Sequence, residues 1–215
     1  MKILFLGDEN SSLVSYLEQM GENVLSMTEK VTIDFIDAYR PDFIISYGYR
    51  YIIKQEILDR YVDRAINLHI SFLPWNRGAD PNFWSFIENT PRGVTIHYLD
   101  SGIDTGDIIV QKQVEFSKYD TLRISYYKLH DEIRKLFVDN WTAICTGTCE
   151  RKKQNDVYTA MLPHNYIDPS VSYHKLADKA RLDFLLTHGW DTPVSILEEF
   201  AAESRISTQF FDGKN

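Results

Sequence analysis

Residues 42–70 read DFIISYGYRYIIKQEILDRYVDRAINLHI, and this stretch decides the fold class. It begins and ends with short apolar runs, DFIISYG (42–48) and AINLHI (65–70), which are typical of buried strands. Between them, QEILDRY (55–61) has the apolar spacing of a short helix. A strand, a helix and a second strand in this order predict a β-α-β unit with parallel strands.

The same alternation continues on both sides of this unit. Further strands are predicted at KILFLG (2–7), NVLSM (23–27), GVTIHYLD (93–100) and IIVQKQVEF (108–116), and helices at 11–20, 32–40, 81–89 and 121–147. We therefore predict an α/β fold, with a Rossmann-like, mostly parallel sheet and helices on both faces. The composition changes near residue 150, which predicts a main domain of residues 1–150 and a small C-terminal extension of residues 151–215, with a helix at 178–189.

The composition is that of an ordinary globular protein, with 44% hydrophobic and 25% charged residues among 215. A net charge of −8 disfavours nucleic acids and anionic membranes as partners. The first residues, MKILFLGDEN, fit a strand better than a signal peptide. Cys145 and Cys149 have no second cysteine pair and are read as reduced structural thiols. We therefore expect a cytoplasmic protein.

Two cofactor classes find no support in the sequence. Gly7 begins GDENSS, which lacks the glycine spacing of a dinucleotide-binding turn. The six histidines do not form a cluster with metal-ligand spacing, so we expect no metal.

Three polar side chains stand out at the ends of predicted strands. Asn67 and His69 lie two positions apart on one strand, so their side chains share a face. Asp104 lies in the small-residue loop DSGIDTGD (100–107). Each residue alone has an ordinary explanation, since a histidine near a strand end usually packs and an aspartate before Thr-Gly usually forms a turn. His97 could support Asp104 from behind, but a plain strand position is the favoured interpretation.

Together these motifs resemble one family. NLHISFLPWNRG (67–78), followed by GVTIHYLDSGIDTGDII (93–109), is similar to the folate-dependent formyltransferases, specifically the type that acts on nucleotide-linked amino sugars. The resemblance runs from residue 1 to about 150, which makes that part the formyltransferase catalytic domain. It implies that Asn67, His69 and Asp104 are catalytic.

The residue types suit formyl transfer to an amine, which passes through a tetrahedral oxyanion. Asn67 and His69 can donate hydrogen bonds to that oxygen. Asp104 can accept the proton that the amine loses, provided that burial holds its pKa high enough.

The resemblance also implies the formyl donor, 10-formyltetrahydrofolate. In the family its pterin is held largely by backbone groups of two loops. Carried over to this sequence, the donor-binding positions are Arg50, Tyr51, Ile53, Ser101 and Asp104.

Three acceptors are consistent with the resemblance: methionyl-tRNA, glycinamide ribonucleotide and a nucleotide-linked amino sugar. The tRNA enzymes carry a second, basic domain, for which this length and charge leave no room. The loop WNRGADPNFW (75–84) favours a 3- or 4-amino-dideoxy sugar on dTDP or GDP, used for surface polysaccharides. Trp75 and Arg77 are the expected substrate contacts because a turn should expose them, whereas Trp84 is expected to pack in the core.

Other functions remain open at this stage. The alternatives are a glycinamide ribonucleotide formyltransferase, a formyltetrahydrofolate hydrolase and a folate-binding module without activity. Hydrolases of this type usually have an additional domain in front, whereas this chain starts on its first strand. Sugar enzymes of this kind are often dimers through their C-terminal parts, so we expect a homodimer.

Overall fold

The computed structural model describes residues 1–161, 168–170, 172–175 and 178–211, with side chains of the last helix described as far as residue 203. Within these ranges, each helix is too short or too polar to cross a membrane.

Eight strands and seven α-helices are described. The strands are β1 (Lys2–Leu6), β2 (Asn23–Met27), β3 (Phe43–Tyr47), β4 (Ala65–His69), β5 (Arg77–Gly78), β6 (Gly93–Tyr98), β7 (Ile108–Gln113) and β8 (Tyr173–His174). The helices are α1 (Ser12–Gln19), α2 (Ile33–Tyr39), α3 (Gln55–Leu58), α4 (Pro81–Ile87), α5 (Leu122–Thr146), α6 (Gln154–Met161) and α7 (Val194–Phe211).

Six of the strands form one mixed sheet in the order β2-β1-β3-β4-β6-β7. The first four are parallel, β6 is antiparallel to β4, and β7 is antiparallel to β6. Strand β6 is therefore the one that runs against the others in this sheet. The prediction of a Rossmann-like, mostly parallel sheet is confirmed.

Apolar side chains cover both faces of this sheet. On one face, strand residues pack against α1 and α5, and this cluster includes Phe5, Ile45, Ile66, Leu68, Leu17, Ile133 and Phe137. On the other face, strand residues pack against α2 and α3, and this cluster includes Leu6, Ile44, Ala65, Ile36 and Ile57. Because side chains alternate along β4, Asn67 and His69 lie on the second face, beyond the apolar contact that Ala65 makes there.

The C-terminal extension differs from the prediction in several elements. The helix predicted at 178–189 is instead two 3₁₀ segments, Lys179–Leu185 and Gly189–Asp191. The α-helices at 154–161 and 194–211 and the short strand β8 were not predicted. Local periodicity missed them because their burial depends on distant partners. Side chains of α7, among them Leu197, form an apolar cluster with residues of α4 such as Phe86.

Candidate active site

Asn67 and His97 are direct partners across the antiparallel pair β4–β6, so their side chains share one face of the sheet. The Asn67 Nδ2 and His97 Nε2 atoms are 3.3 Å apart. His97 is 1% exposed, and its Nδ1 donates to the carbonyl oxygen of Tyr98 (2.8 Å). The favoured interpretation of His97 as a plain strand residue was therefore wrong, because its ring contacts both Asn67 and Asp104.

Asp104 accepts hydrogen bonds on both carboxylate oxygens. Its Oδ1 accepts from Asn67 Nδ2 (3.0 Å) and lies 3.4 Å from His97 Nε2. Its Oδ2 accepts from the backbone N–H of Gly78 (2.9 Å). The backbone of Asp104 is left-handed, with φ of 54°, a conformation that aspartate adopts more readily than most residues. The three side chains expected to be catalytic thus lie together.

The pKa of Asp104 is lowered from its ordinary value. Burial alone raises it, but the nearby charge of His69, the contact with His97 and the N–H of Gly78 outweigh burial. The condition that burial hold this pKa high is therefore not met, because burial comes with three groups that stabilise the anion. Asp104 is therefore a carboxylate at neutral pH.

The His69 ring is held by one fixed hydrogen bond. Its Nε2 lies 3.1 Å from the carbonyl oxygen of Asn76, which can only accept, so Nε2 carries a proton. Its Nδ1 is 3.7 Å from Asp104 Oδ2, which is too long for a hydrogen bond but close enough for charge attraction. Nδ1 is therefore the ring nitrogen that remains available to a substrate.

Asn76 anchors this loop through a buried polar network. The side chain of Asn76 is fully buried; its Nδ2 donates to Glu88 Oε2 (2.7 Å), and its Oδ1 accepts from Thr90 (2.6 Å). Its backbone N–H donates to Ser172 Oγ (2.8 Å), and Ser172 donates in turn to Glu88 (2.6 Å). Glu88 also pairs with His174 at 2.6 Å. The C-terminal extension thereby fixes the carbonyl that orients His69.

Gly78 is required by two constraints at once. Its φ is 87°, in the left-handed region, and a Cβ there would lie 2.2 Å from the backbone oxygen of His174. This close approach occurs because β5 pairs with β8 in a small parallel sheet, with Gly78 opposite His174. The same glycine gives its N–H to Asp104.

Gln154 joins the Asp104 loop to β5. It is 5% exposed, and its Nε2 donates to the backbone oxygens of Asp104 and Gly106, each at 2.8 Å. Its Oε1 accepts from Arg77 Nε (3.0 Å) and Nη2 (2.6 Å). One buried amide therefore holds the backbone of the Asp104 loop with its nitrogen and the Arg77 side chain with its oxygen.

Replacement of Gln154 should reduce catalysis through displacement of Asp104. We expect Gln154→Ala to lower the kcat of the reaction at this site by about 100-fold, since a misplacement near 1 Å can cost that much. The matched control is Gln111→Ala, which removes a similar hydrogen bond from a glutamine Nε2 to the backbone oxygen of Leu73 (3.0 Å). Equal kcat values in steady-state assays of the two variants would contradict this role.

Trp75 does not lie where the sequence placed it. It was expected to be exposed by its turn, but it is fully buried and packs edge-to-face against Tyr158 of α6, with 6.0 Å between ring centroids. The expectation was wrong because α6 was not predicted. Arg77 is only partly exposed, and two of its three guanidinium nitrogens, Nε and Nη2, already donate to Gln154. Burial lowers the pKa of Arg77, while the charge of Asp104 raises it.

Trp84 packs as expected in the interior. It is 7% exposed and stacks on the His174 ring, with 3.7 Å between centroids and 9° between planes. This contact also holds β8 against α4.

The positions expected to bind the donor lie in two loops. Arg50 and Tyr51 are exposed after β3, and Tyr51 makes an edge contact with Tyr49 at 5.5 Å between ring centroids. The side chain of Ile53 is buried in the core, which leaves its backbone for a ligand. Ser101 is exposed in the β6–β7 loop that carries Asp104. In the described part of the chain, no three histidine, cysteine or acidic side chains cluster as a metal site.

Several residues of this site were not predicted. For His97, the only signal in the sequence was its position seven residues before Asp104. Asn76 and Gly78 belong to the motif NLHISFLPWNRG (67–78), from which only Asn67, His69, Trp75 and Arg77 were predicted as site residues. Gln154 and Ser172 carry no local signal, since they reach the site only through tertiary contacts.

Comparison with known proteins identifies the family. The sequence model of the family described as "Formyl transferase" matches residues 8–140, which include every residue of the predicted trio. The chain belongs to the formyl transferase family, and the resemblance drawn from the sequence is confirmed.

Three known proteins show which formyltransferases this chain is similar to. The chain is 48% identical to the formyltransferase PseJ from Anoxybacillus kamchatkensis, whose structure contains UDP-4,6-dideoxy-4-formamido-L-AltNAc and tetrahydrofolate. The match covers 94% of this chain and 100% of PseJ, with a TM-score of 0.83. A 4-N formyltransferase from Francisella tularensis is 21% identical, with a TM-score of 0.66 over 84% of this chain and 78% of that one, and shares the fold. The methionyl-tRNA formyltransferase of Finegoldia magna is 30% identical over 56% of this chain and 39% of its own length. The chain thus spans about half or less of such curated relatives.

Proposed function

We propose that this chain is an N-formyltransferase. It moves a formyl group from 10-formyltetrahydrofolate to the 4-amine of a UDP-linked 4-amino-4,6-dideoxy sugar. The observation that carries the proposal is that the Asn67 amide and the His69 ring both approach the carboxylate of Asp104, at 3.0 Å and 3.7 Å. The identity with PseJ over nearly the whole length of both chains supports the choice of acceptor.

In this reaction the acceptor nitrogen attacks the formyl carbon and the carbonyl oxygen becomes an oxyanion. In this proposal Asn67 Nδ2 and His69 Nδ1 donate hydrogen bonds to that oxygen. Asn67 exchanges its contact with His97 Nε2 (3.3 Å) for the oxyanion, and the donating His69 ring carries a proton on Nδ1 as well as on Nε2. Each such donor typically lowers the barrier by about 2.7–4 kcal/mol. The new bond joins the acceptor nitrogen to the formyl carbon, and the bond from that carbon to N10 of the folate breaks.

The low pKa of Asp104 changes the role expected of it. A weakly basic carboxylate does not deprotonate a free alkylammonium, whose acidity is too low. The amine must therefore arrive unprotonated. After attack, its nitrogen is positively charged and far more acidic, and Asp104 can accept that proton, which then passes to N10 of the departing tetrahydrofolate. The anion also attracts the protonated form of His69 at 3.7 Å.

The nucleotide proposed here differs from the one expected from the sequence. The sequence favoured dTDP or GDP, whereas the PseJ structure contains a UDP-sugar. The use of the product in surface polysaccharides, the homodimer and the cytoplasmic location all stay predictions.

Formyl transfer can be measured by mass. We expect a gain of one formyl group on a UDP-4-amino-4,6-dideoxy sugar in the presence of 10-formyltetrahydrofolate. A panel of dTDP-3-amino, dTDP-4-amino and GDP-4-amino sugars and glycinamide ribonucleotide serves for comparison. His69→Ala should lose about 100- to 1,000-fold in rate, since it removes one oxyanion donor.

Each other result has a distinct meaning. Transfer only to glycinamide ribonucleotide would keep the chemistry and replace the acceptor. Release of formate without transfer would make the protein a hydrolase. Binding of folate with neither reaction would contradict catalysis.

A further inference from the structure

A cavity of about 180 Å³ lies beside the candidate active site and takes no part in the mechanism above. Its walls come from the start of α4, the start of α5, the 3₁₀ segments of the extension and Ile70, the residue after His69. A cavity of ~150 Å³ holds benzene in an engineered protein, so this one has room for one substituted six-membered ring.

Aromatic side chains form much of its lining. Phe83, Tyr126 and Trp190 all line the cavity. Trp190 is 47% exposed, although its ring contacts Tyr126 edge-to-face with 5.2 Å between centroids. A large aromatic ring that stays half exposed beside a cavity offers a face on which a flat or chair-shaped ring can stack.

The polar lining offers both donors and acceptors. Lys179 Nζ lies 3.4 Å from Asp80 Oδ1. The same atom lies over two aromatic rings, 5.6 Å from the centroid of Phe83 and 5.5 Å from that of Trp190. Asp80 stands at the N-cap of α4 but makes no capping hydrogen bond, and its φ is 51°. Its carboxylate is therefore not used to stabilise the helix. Backbone strain of this kind is common where a side chain is held for a ligand.

Asn82 adds an unsatisfied acceptor at the wall. It is 6% exposed, and its Nδ2 donates to the carbonyl oxygen of Leu122 (3.1 Å). Its Oδ1 has no hydrogen-bond partner among the residues that the structure describes. A buried oxygen without a hydrogen-bond partner destabilises the folded protein. A ligand that brings an N–H or O–H group removes this cost.

We propose that this cavity is the subsite for one polar six-membered ring of the nucleotide-linked acceptor, stacked on Trp190 and hydrogen-bonded by Asp80, Asn82 and Lys179. The inference rests on the proposed function in one respect, the choice of a nucleotide-linked sugar as the acceptor. A pyrimidine and a sugar ring share the required chemistry, since each has faces that stack and carries both donors and acceptors. The paired charges of Asp80 and Lys179 suit a neutral ring better than a phosphate.

The test combines direct binding with kinetics on two variants. Calorimetry measures the Kd of UDP without folate, and steady-state assays measure the KM of the UDP-amino sugar and of 10-formyltetrahydrofolate. We expect Trp190→Ala to raise the Kd or the acceptor KM about tenfold, with the folate KM unchanged. Lys179→Met keeps the aliphatic stem and should raise the same constant at least about fivefold. Tyr119→Ala, at an aromatic residue that is 78% exposed and not part of the lining, is the control.

The results also distinguish the two rings. Weaker UDP binding in Trp190→Ala assigns the pyrimidine to the cavity, whereas unchanged UDP binding with a raised acceptor KM assigns the sugar. If formyl transfer proceeds and neither constant changes in either variant, the inference is overturned while the proposed function stands. If no acceptor is formylated but UDP binding depends on Trp190, the subsite stands and the proposed function fails.

Discussion

Asp104→Asn should reduce formyl transfer by about 10²- to 10⁴-fold, the range typical of a lost acid–base group. Asparagine fits the left-handed backbone at this position, so the loop keeps its shape. The amide nevertheless cannot replace the carboxylate. If its oxygen accepts from Gly78, its NH₂ group faces the Nδ2 of Asn67, which is also a donor. The negative charge beside His69 is lost in either orientation.

The measurement compares kcat with the Kd of the folate. We expect the kcat to fall and the Kd to change by no more than a few-fold. Asp120→Asn is the matched control, because Asp120 is also buried and also accepts from a backbone N–H, that of Ser117 at 3.0 Å, away from the trio. An Asp104→Asn protein that turns over at the normal rate removes this residue from the mechanism.

Gly78→Ala should lower both stability and activity. The new Cβ would lie 2.2 Å from the backbone oxygen of His174, and a backbone atom cannot rotate away as a side chain can. The left-handed φ of 87° adds roughly 1–2 kcal/mol for any residue with a Cβ. We expect a total loss of at least about 2 kcal/mol, or a fall in Tm of about 4–8 °C for a chain of this size.

Gly21→Ala separates the two causes. Gly21 has nearly the same φ, 84°, but a Cβ there would meet no atom within 4 Å. Thermal unfolding should therefore show a clearly smaller loss for Gly21→Ala, and formyl transfer should be normal. Similar Tm values for the two variants would mean that the contact between β5 and β8 tolerates the extra carbon.

The sheet and the grouping of Asn67, His69 and Asp104 could be predicted from the sequence because both have local signals. Alternation along β4 put Asn67 and His69 on one face, and motif similarity added Asp104. The exposure of Trp75 was mispredicted because a turn motif gives no sign of the helix that covers it. His97 was undervalued because its role depends on cross-strand pairing with Asn67, and such pairing follows from register rather than from spacing.

The extension was predicted least well. Its 3₁₀ segments around Lys179 and Gly189 have the apolar spacing of a helix, but tertiary contacts override that local preference. Gln154 reads as an ordinary polar residue, and its importance comes from two carbonyl groups that lie far from it in sequence. The sequence also contained no sign that the pKa of Asp104 is lowered. Burial raises this pKa and the neighbouring groups lower it, and only the structure shows which effect is larger.

The hydrogen bond from the backbone N–H of Asn76 to Ser172 Oγ joins residues that are 96 positions apart, and this has a consequence for how the active site is assembled. Closing so long a loop costs more conformational entropy than closing a short one. Residues 1–150 by themselves lack Ser172, which anchors the loop behind His69, and Gln154, which holds the backbone of Asp104. The site is therefore complete only when the C-terminal extension has docked, so loss of that docking would remove catalysis even from a chain whose sheet is intact.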